Sequence, residues 1–217
     1  MALKNQNIRF ILNLSLLLFI FTAMLPSPIS VSASAMGNNT NLPTFPDFSQ
    51  TVQNGQATVL RGVYVNHILA LPVIQQPSGN AGFVSSSDNQ TTQFRMASQF
   101  GNIGLLAHNH LAGKSFAQLS IGDEVLMVYG DGRVEYFVVQ EVLKYQALQP
   151  NSPYSSFRNL DKDETINAEQ MFKRVYFGDR HVTFQTCIEA EGNLSWGRLF
   201  VIAVPKEEYS KFDRLNP

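Results

Sequence analysis

The chain has 217 residues, 44% of them hydrophobic and 15% charged, with 16 basic against 17 acidic residues and one cysteine. This charge balance lacks the basic footprint of a nucleic-acid binder, and a lone cysteine excludes an internal disulfide framework. The length and apolar fraction suffice for the core of one ordinary domain.

Residues 1–35 read as a secretory signal peptide: Lys4 and Arg9 form a positive n-region, Phe10 to Leu25 an apolar h-region, and Ala33-Ser34-Ala35 a small-residue cleavage site. The apolar run is interrupted by Asn13 and Ser15 and falls short of the ~20 residues a membrane span needs, so cleavage is favoured over retention as an anchor. Loss of Lys4 and Arg9 takes the net charge from −1 to −3. Exported chains usually pair their cysteines. The lone Cys187 is therefore a reactive thiol, one half of an intermolecular bridge, or a buried inert residue.

Residues 36–56 are polar, rich in Asn and Pro and without periodicity, which predicts a flexible linker. From Ala57 onward come short β-branched and aromatic runs separated by turn residues: "ATVLRGVYV", "HILALPVIQ", "IGLLAH", "EVLMVYGDGRVEYFVVQEV", "HVTFQTC" and "RLFVIAV". These predict an all-β barrel or sandwich over residues 57–206, with residues 207–217 as a tail. Gly130-Asp131-Gly132 predicts a hairpin turn. Residues 159–178 break the pattern: Asp-rich capping, Ile166, Met171, Phe172 and Val175 at helical spacing, and a closing glycine predict one short helix in the connection 143–180.

In "HVTFQTC", His181, Thr183, Gln185 and Cys187 share one strand face and Val182, Phe184 and Thr186 the other, so the thiol projects with a polar row. A nucleophilic thiol needs a base or cation beside it, because the thiolate is the reactive form. Of His67, His108, His110 and His181, the last lies roughly 20 Å back along the same strand, at ~3.3 Å per residue, and is out of reach. His108 closes "GNIGLLA" at a strand end opening into a loop, where scaffolds present catalytic groups. His110 points the same way in an extended chain, and only one of the two needs to act. Both with Cys187 are an alternative metal set, which lacks an organised fourth ligand. Arg198 opens the strand after Cys187. In an antiparallel pair it would lie beside the thiol and offer donors to a developing oxyanion; otherwise it is an ordinary strand-end arginine.

The order "GNIGLLAH", then "LSIGDEVLMVYGDGRVEYFVV", then "VTFQTC", then an arginine on the last strand resembles the sortases, cysteine transpeptidases of bacterial surfaces. The resemblance covers about residues 57–206 and places the family's His on His108, its Cys on Cys187 with Thr186 before it, and its Arg on Arg198. There are departures: Leu106-Ala107-His108 stands where Ala-Gly-His is usual, and Phe184-Gln185 where Leu and a small or polar residue are common, as in an outlying branch. A cleaved signal would also depart from the better-known members, which stay anchored by it.

What the resemblance implies is a closed eight-stranded β-barrel with one or two short helices in loops, and a groove covered by the connection 143–180. The implied catalytic residues are Cys187, His108 and Arg198, with Thr186, His110 and Asn109 toward substrate, no cofactor and no metal. The implied reaction forms a thioester between Cys187 and a sorting-signal peptide of a surface or pilin protein. An amine from peptidoglycan or a pilin, or else water, then resolves it. The place of action is the cell surface or beyond it, with membrane association where the N-terminal segment is retained. The rival readings are a secreted β-barrel binding domain without catalysis and a cysteine hydrolase that uses only water.

Overall fold

The computed structural model describes residues 42–215; the signal peptide expected at residues 1–35 lies outside them. Hydrophobic alternation organises this stretch into ten strands and five helices, two of the helices single turns. The strands are β1 (Leu60–Val65), β2 (Leu69–Gln75), β3 (Thr91–Phe94), β4 (Ile103–Leu106), β5 (Glu124–Tyr129), β6 (Val134–Ala147), β7 (Phe157–Asn159), β8 (Thr165–Ile166), β9 (Val182–Ala190) and β10 (Asn193–Pro205). The helices are α1 (Phe45–Val52), α2 (Arg95–Ser98), α3 (Gly113–Phe116), α4 (Ala168–Tyr176) and α5 (Lys206–Leu215).

Sheet order runs β10-β9-β4-β3-β2-β1-β5-β6, and β10 also pairs with β6, so eight strands close on themselves and leave no free edge. The expected closed eight-stranded barrel is thus the observed one. The length of β6 makes closure work. Its first half pairs with β5, it meets β10 from Phe137 to Gln146, and its end carries the small β7–β8 extension outside the barrel. Val63, Leu105, Val125, Met127, Val139, Phe184 and Val201 fill the interior and are excluded from solvent. Removing a buried ring such as Phe184 would cost about 3–5 kcal/mol.

A second apolar layer lies outside the barrel wall, where α4 covers Leu106, Tyr145, Phe200 and Ile202 with Met171, Phe172, Val175 and Tyr176. The helix lies inside the predicted 159–178 but starts later. Asn167 and Gln170 form a reciprocal capping box, and the Asp-rich stretch before it is instead the turn between β7 and β8, with Ile166 on β8. Glu169 in the first turn pairs with Lys173 in the last, and Arg174 reaches Glu141 of β6 at 2.5 Å. His181 fastens the other end of the helix. Its ring nitrogens face the Val175 carbonyl at 2.9 Å and the Asp179 carbonyl at 2.7 Å.

Both flanks of the barrel carry helix. The predicted linker 36–56 contains α1, whose Phe48 and Val52 are buried against Tyr64 and Val128, with the Phe45 and Tyr64 rings edge to face at 5.4 Å. Asn54 and Gly55 then donate to the Gly130 carbonyl, tying this segment to the β5–β6 turn. Pro46 stands in the first helical turn, where its missing N–H leaves nothing unsatisfied. Residues 207–215 of the tail belong to the helix α5, which starts at Lys206.

Candidate active site

β9 and β10 bring the thiol and the guanidinium together. They form a hairpin through Glu191 and Gly192, both with positive φ (53° and 73°), as a two-residue turn of the I′ kind requires. The register places Cys187 directly opposite Arg198. The sequence reading has Arg198 open its strand. The arginine instead sits mid-strand, 5% exposed, with Nη1 donating to the Ser195 and Gly197 carbonyls at 2.9 Å each.

β4 supplies the histidine. It runs parallel to β9, with Leu106 opposite Gln185, and the ladder continues as Ala107 N–H donates to the Gln185 carbonyl. His108 and Cys187 each lie two residues beyond that last pair, Cys187 still on β9 and His108 just past the end of β4. Leu106 and Gln185 both line one groove, and on β9 strand alternation puts Cys187 on the same face as Gln185.

A hydrogen bond with the Val84 backbone favours the charged form of the His108 ring. Desolvation, with the nearby His110 ring stacked at 5.6 Å, holds His108 below the usual imidazole range. After His108 the chain turns: Leu111 and Gly113 N–H both donate to its carbonyl. Asn109 Nδ2 bonds the Leu194 carbonyl at 3.1 Å and so couples this turn to the β9–β10 hairpin.

The thiol is 7% exposed. Burial pushes it above the ordinary cysteine range, partly offset by the Arg198 charge and a hydrogen bond from Ser195. The polar row expected on this face is present but roofed by α4: Thr183 Oγ1 bonds the Val175 carbonyl at 2.5 Å and Gln185 meets Tyr176. Burial thus disfavours the charged form of both Cys187 and His108. Thr186, on the opposite face with Phe184, is 1% exposed, and its hydroxyl lies against Gly113, toward the His108 turn and away from the groove.

The groove runs between α4 and the barrel wall. Phe94, Leu106, Met171, Phe172 and Phe200 line it, Ser152 and Pro153 of the connection 143–180 border it, and Gln185 and Arg198 supply its polar groups. Ser195 and Tyr176 carry no signal of a role in the sequence, whereas Gln185 stands in the polar row with Cys187, two residues before it on the same face. Among the described residues no three of His, Cys, Asp and Glu converge as a metal set would, so His108, His110 and Cys187 are not brought together as ligands. Among them, too, no helix is long and apolar enough to cross a membrane.

No family model matches this chain, and no curated protein does. Solved structures do. The chain is similar in fold to sortase A of Listeria monocytogenes, at 15% identity over 70% of this chain and 95% of that one, with a TM-score of 0.42. It is similar to sortase A of Corynebacterium diphtheriae at 12% identity over 76% of this chain and 69% of that one, TM-score 0.47. With sortase C-1 of Actinomyces oris it shares 13% identity over 94% of this chain and 97% of that one, TM-score 0.45.

Proposed function

We propose that this protein is a cysteine transpeptidase of the sortase type. The observation that carries the reading is the register that sets Cys187 directly opposite Arg198 across an antiparallel pair, with His108 two residues past the end of the strand that runs parallel beside β9. Cys187 Sγ attacks a peptide carbonyl while His108 takes the thiol proton. The tetrahedral intermediate collapses to a thioester as the C–N bond breaks, and the leaving amine receives that proton from His108. Arg198 donates to the oxyanion, and the Ser195 and Gly197 carbonyls hold its guanidinium in place. An incoming amine then reverses the proton traffic and releases the transferred peptide.

The substrates in this reading are sorting-signal peptides of surface or pilin proteins, the acceptors are amines of peptidoglycan or pilin, and the place of action is the bacterial cell surface. Cleavage of a peptide library with and without a competing amine tests it. Amide products that appear only with the amine support transpeptidation, and carboxylic acid products that the amine leaves unchanged indicate a hydrolase.

The burial of Cys187 favours a second reading, a barrel that binds peptide without reacting. In that case a small alkylating reagent modifies the native thiol no faster than a buried cysteine allows, and bound peptide does not change the rate.

A further inference from the structure

The groove wall holds one polar side chain whose orientation is set from behind. Gln185 stands two residues before Cys187 on the same strand face, roughly 7 Å along β9 at ~3.3 Å per residue. Its Oε1 accepts from the Tyr176 hydroxyl at 2.5 Å. Tyr176 is 2% exposed, and burial pushes its phenol far above the ordinary range, so the hydroxyl keeps its proton and needs an acceptor. The Gln185 carbonyl oxygen fills that need, so the Nε2 donors face away from Tyr176, and both residues line the groove. Among the described residues Nε2 meets no acceptor. The surrounding walls, Leu106, Phe172 and Phe200 among them, are apolar.

We propose that Gln185 is a specificity-determining residue. Its Tyr176-oriented Nε2–H selects peptides that carry an acceptor side chain one or two residues from the attacked carbonyl over peptides with an aliphatic side chain of similar size. The inference rests on the transpeptidase reading for the direction in which the peptide lies. An aliphatic side chain would strip water from the two N–H groups and return nothing, a penalty of about 5–150-fold in affinity or kcat/KM.

The test uses acetylated, fluorescein-labelled heptapeptide amides in pairs that differ only as Asn against Leu, scanned through every position. Turnover is measured with the wild-type protein in the presence of a competing amine, and affinity with Cys187→Ala by fluorescence anisotropy. The wild type prefers Asn about 5–150-fold at one position. Gln185→Glu keeps the acceptor for Tyr176 and removes both donors; it abolishes the preference for Asn and favours Lys there instead. Tyr176→Phe releases the carboxamide and weakens the preference without inverting it. No Asn preference at any position, or the same profile in Gln185→Glu, overturns the proposal. Discrimination in binding without turnover by the wild type leaves it standing and removes the catalytic reading, whereas turnover without discrimination does the reverse. Neither binding nor turnover with any pair overturns both.

Discussion

Replacing Gly113 by alanine probes how rigidly the histidine is held over the β9 strand. A Cβ at this position would stand 2.6 Å from the His108 carbonyl oxygen and 2.9 Å from that of Ala107, and closer still to Thr186 Oγ1. Two of these three neighbours are backbone, so no side-chain rotation relieves the crowding. The turn cannot simply swing outward either. Gly113 N–H is bonded to the His108 carbonyl at 3.0 Å, and α3 is anchored three residues on by Phe116, fully buried edge to face with Phe184 at 5.1 Å. The strain has to move the segment that carries His108. Overpacking of this kind costs about 1–3 kcal/mol, or roughly 2–12 °C in Tm for a domain of this size. A misplacement of about 1 Å in a catalytic group costs on the order of 10²-fold in rate. Calorimetry and peptide turnover should therefore fall together in Gly113→Ala. Adding Thr186→Ala should restore only part of the loss, because the carbonyl contacts remain. A variant with Tm within 1 °C and turnover within about twofold of wild type would refute the argument that this turn positions the histidine.

Other outcomes follow from the same geometry. His108→Ala should lower kcat/KM by about 10²–10⁴, and His110→Ala by less than about tenfold, since it stacks on the base without replacing it; the reverse ranking in a peptide-cleavage assay would reassign the base. Arg198→Lys should lower kcat by about 10²–10³ and also lower Tm, because the side chain is buried and holds two carbonyls that a lysine cannot span in the same way. For pH, His108 lies below 6.5 and Cys187 above 9.0, so kcat/KM should be flat between these values, with an acid limb below 6.5 as His108 becomes charged. The His108 contribution to stability carries the same sign: it is complete above the unfolded value and lost as pH falls through the depressed folded one. An inflection within the plateau region would contradict this assignment.

The barrel was legible in the sequence because its strands carry dense β-branched and aromatic runs, and the β5–β6 turn carries Gly130-Asp131-Gly132. What escaped had weaker local signals. β3 is only Thr91–Phe94, and its Thr91 and Thr92, both fully buried, read as polar; β7 and β8 are three and two residues long. α1 is a short helix whose apolar contacts come from β1 and β5, information that lies outside its own sequence. Cys187, His108 and Arg198 could be chosen because each closes or opens a recognisable run. The burial of that site could not, because the roof over β9 comes from α4, and strand alternation reports a side chain's face without reporting what covers it. The same reason hid Tyr176 behind Gln185.

Intact mass spectrometry of the protein mixed with sorting-type peptides tests the central claim most directly. Cys187 is the only cysteine in the chain, so a thioester can form at one place. The predicted result is a gain equal to the acyl fragment of the peptide, its mass less that of the leaving amine. The adduct should be released by hydroxylamine and be absent in Cys187→Ala. An unmodified mass with every peptide that binds, or an adduct of the same mass that persists in Cys187→Ala, would contradict the assignment of Cys187 as the nucleophile.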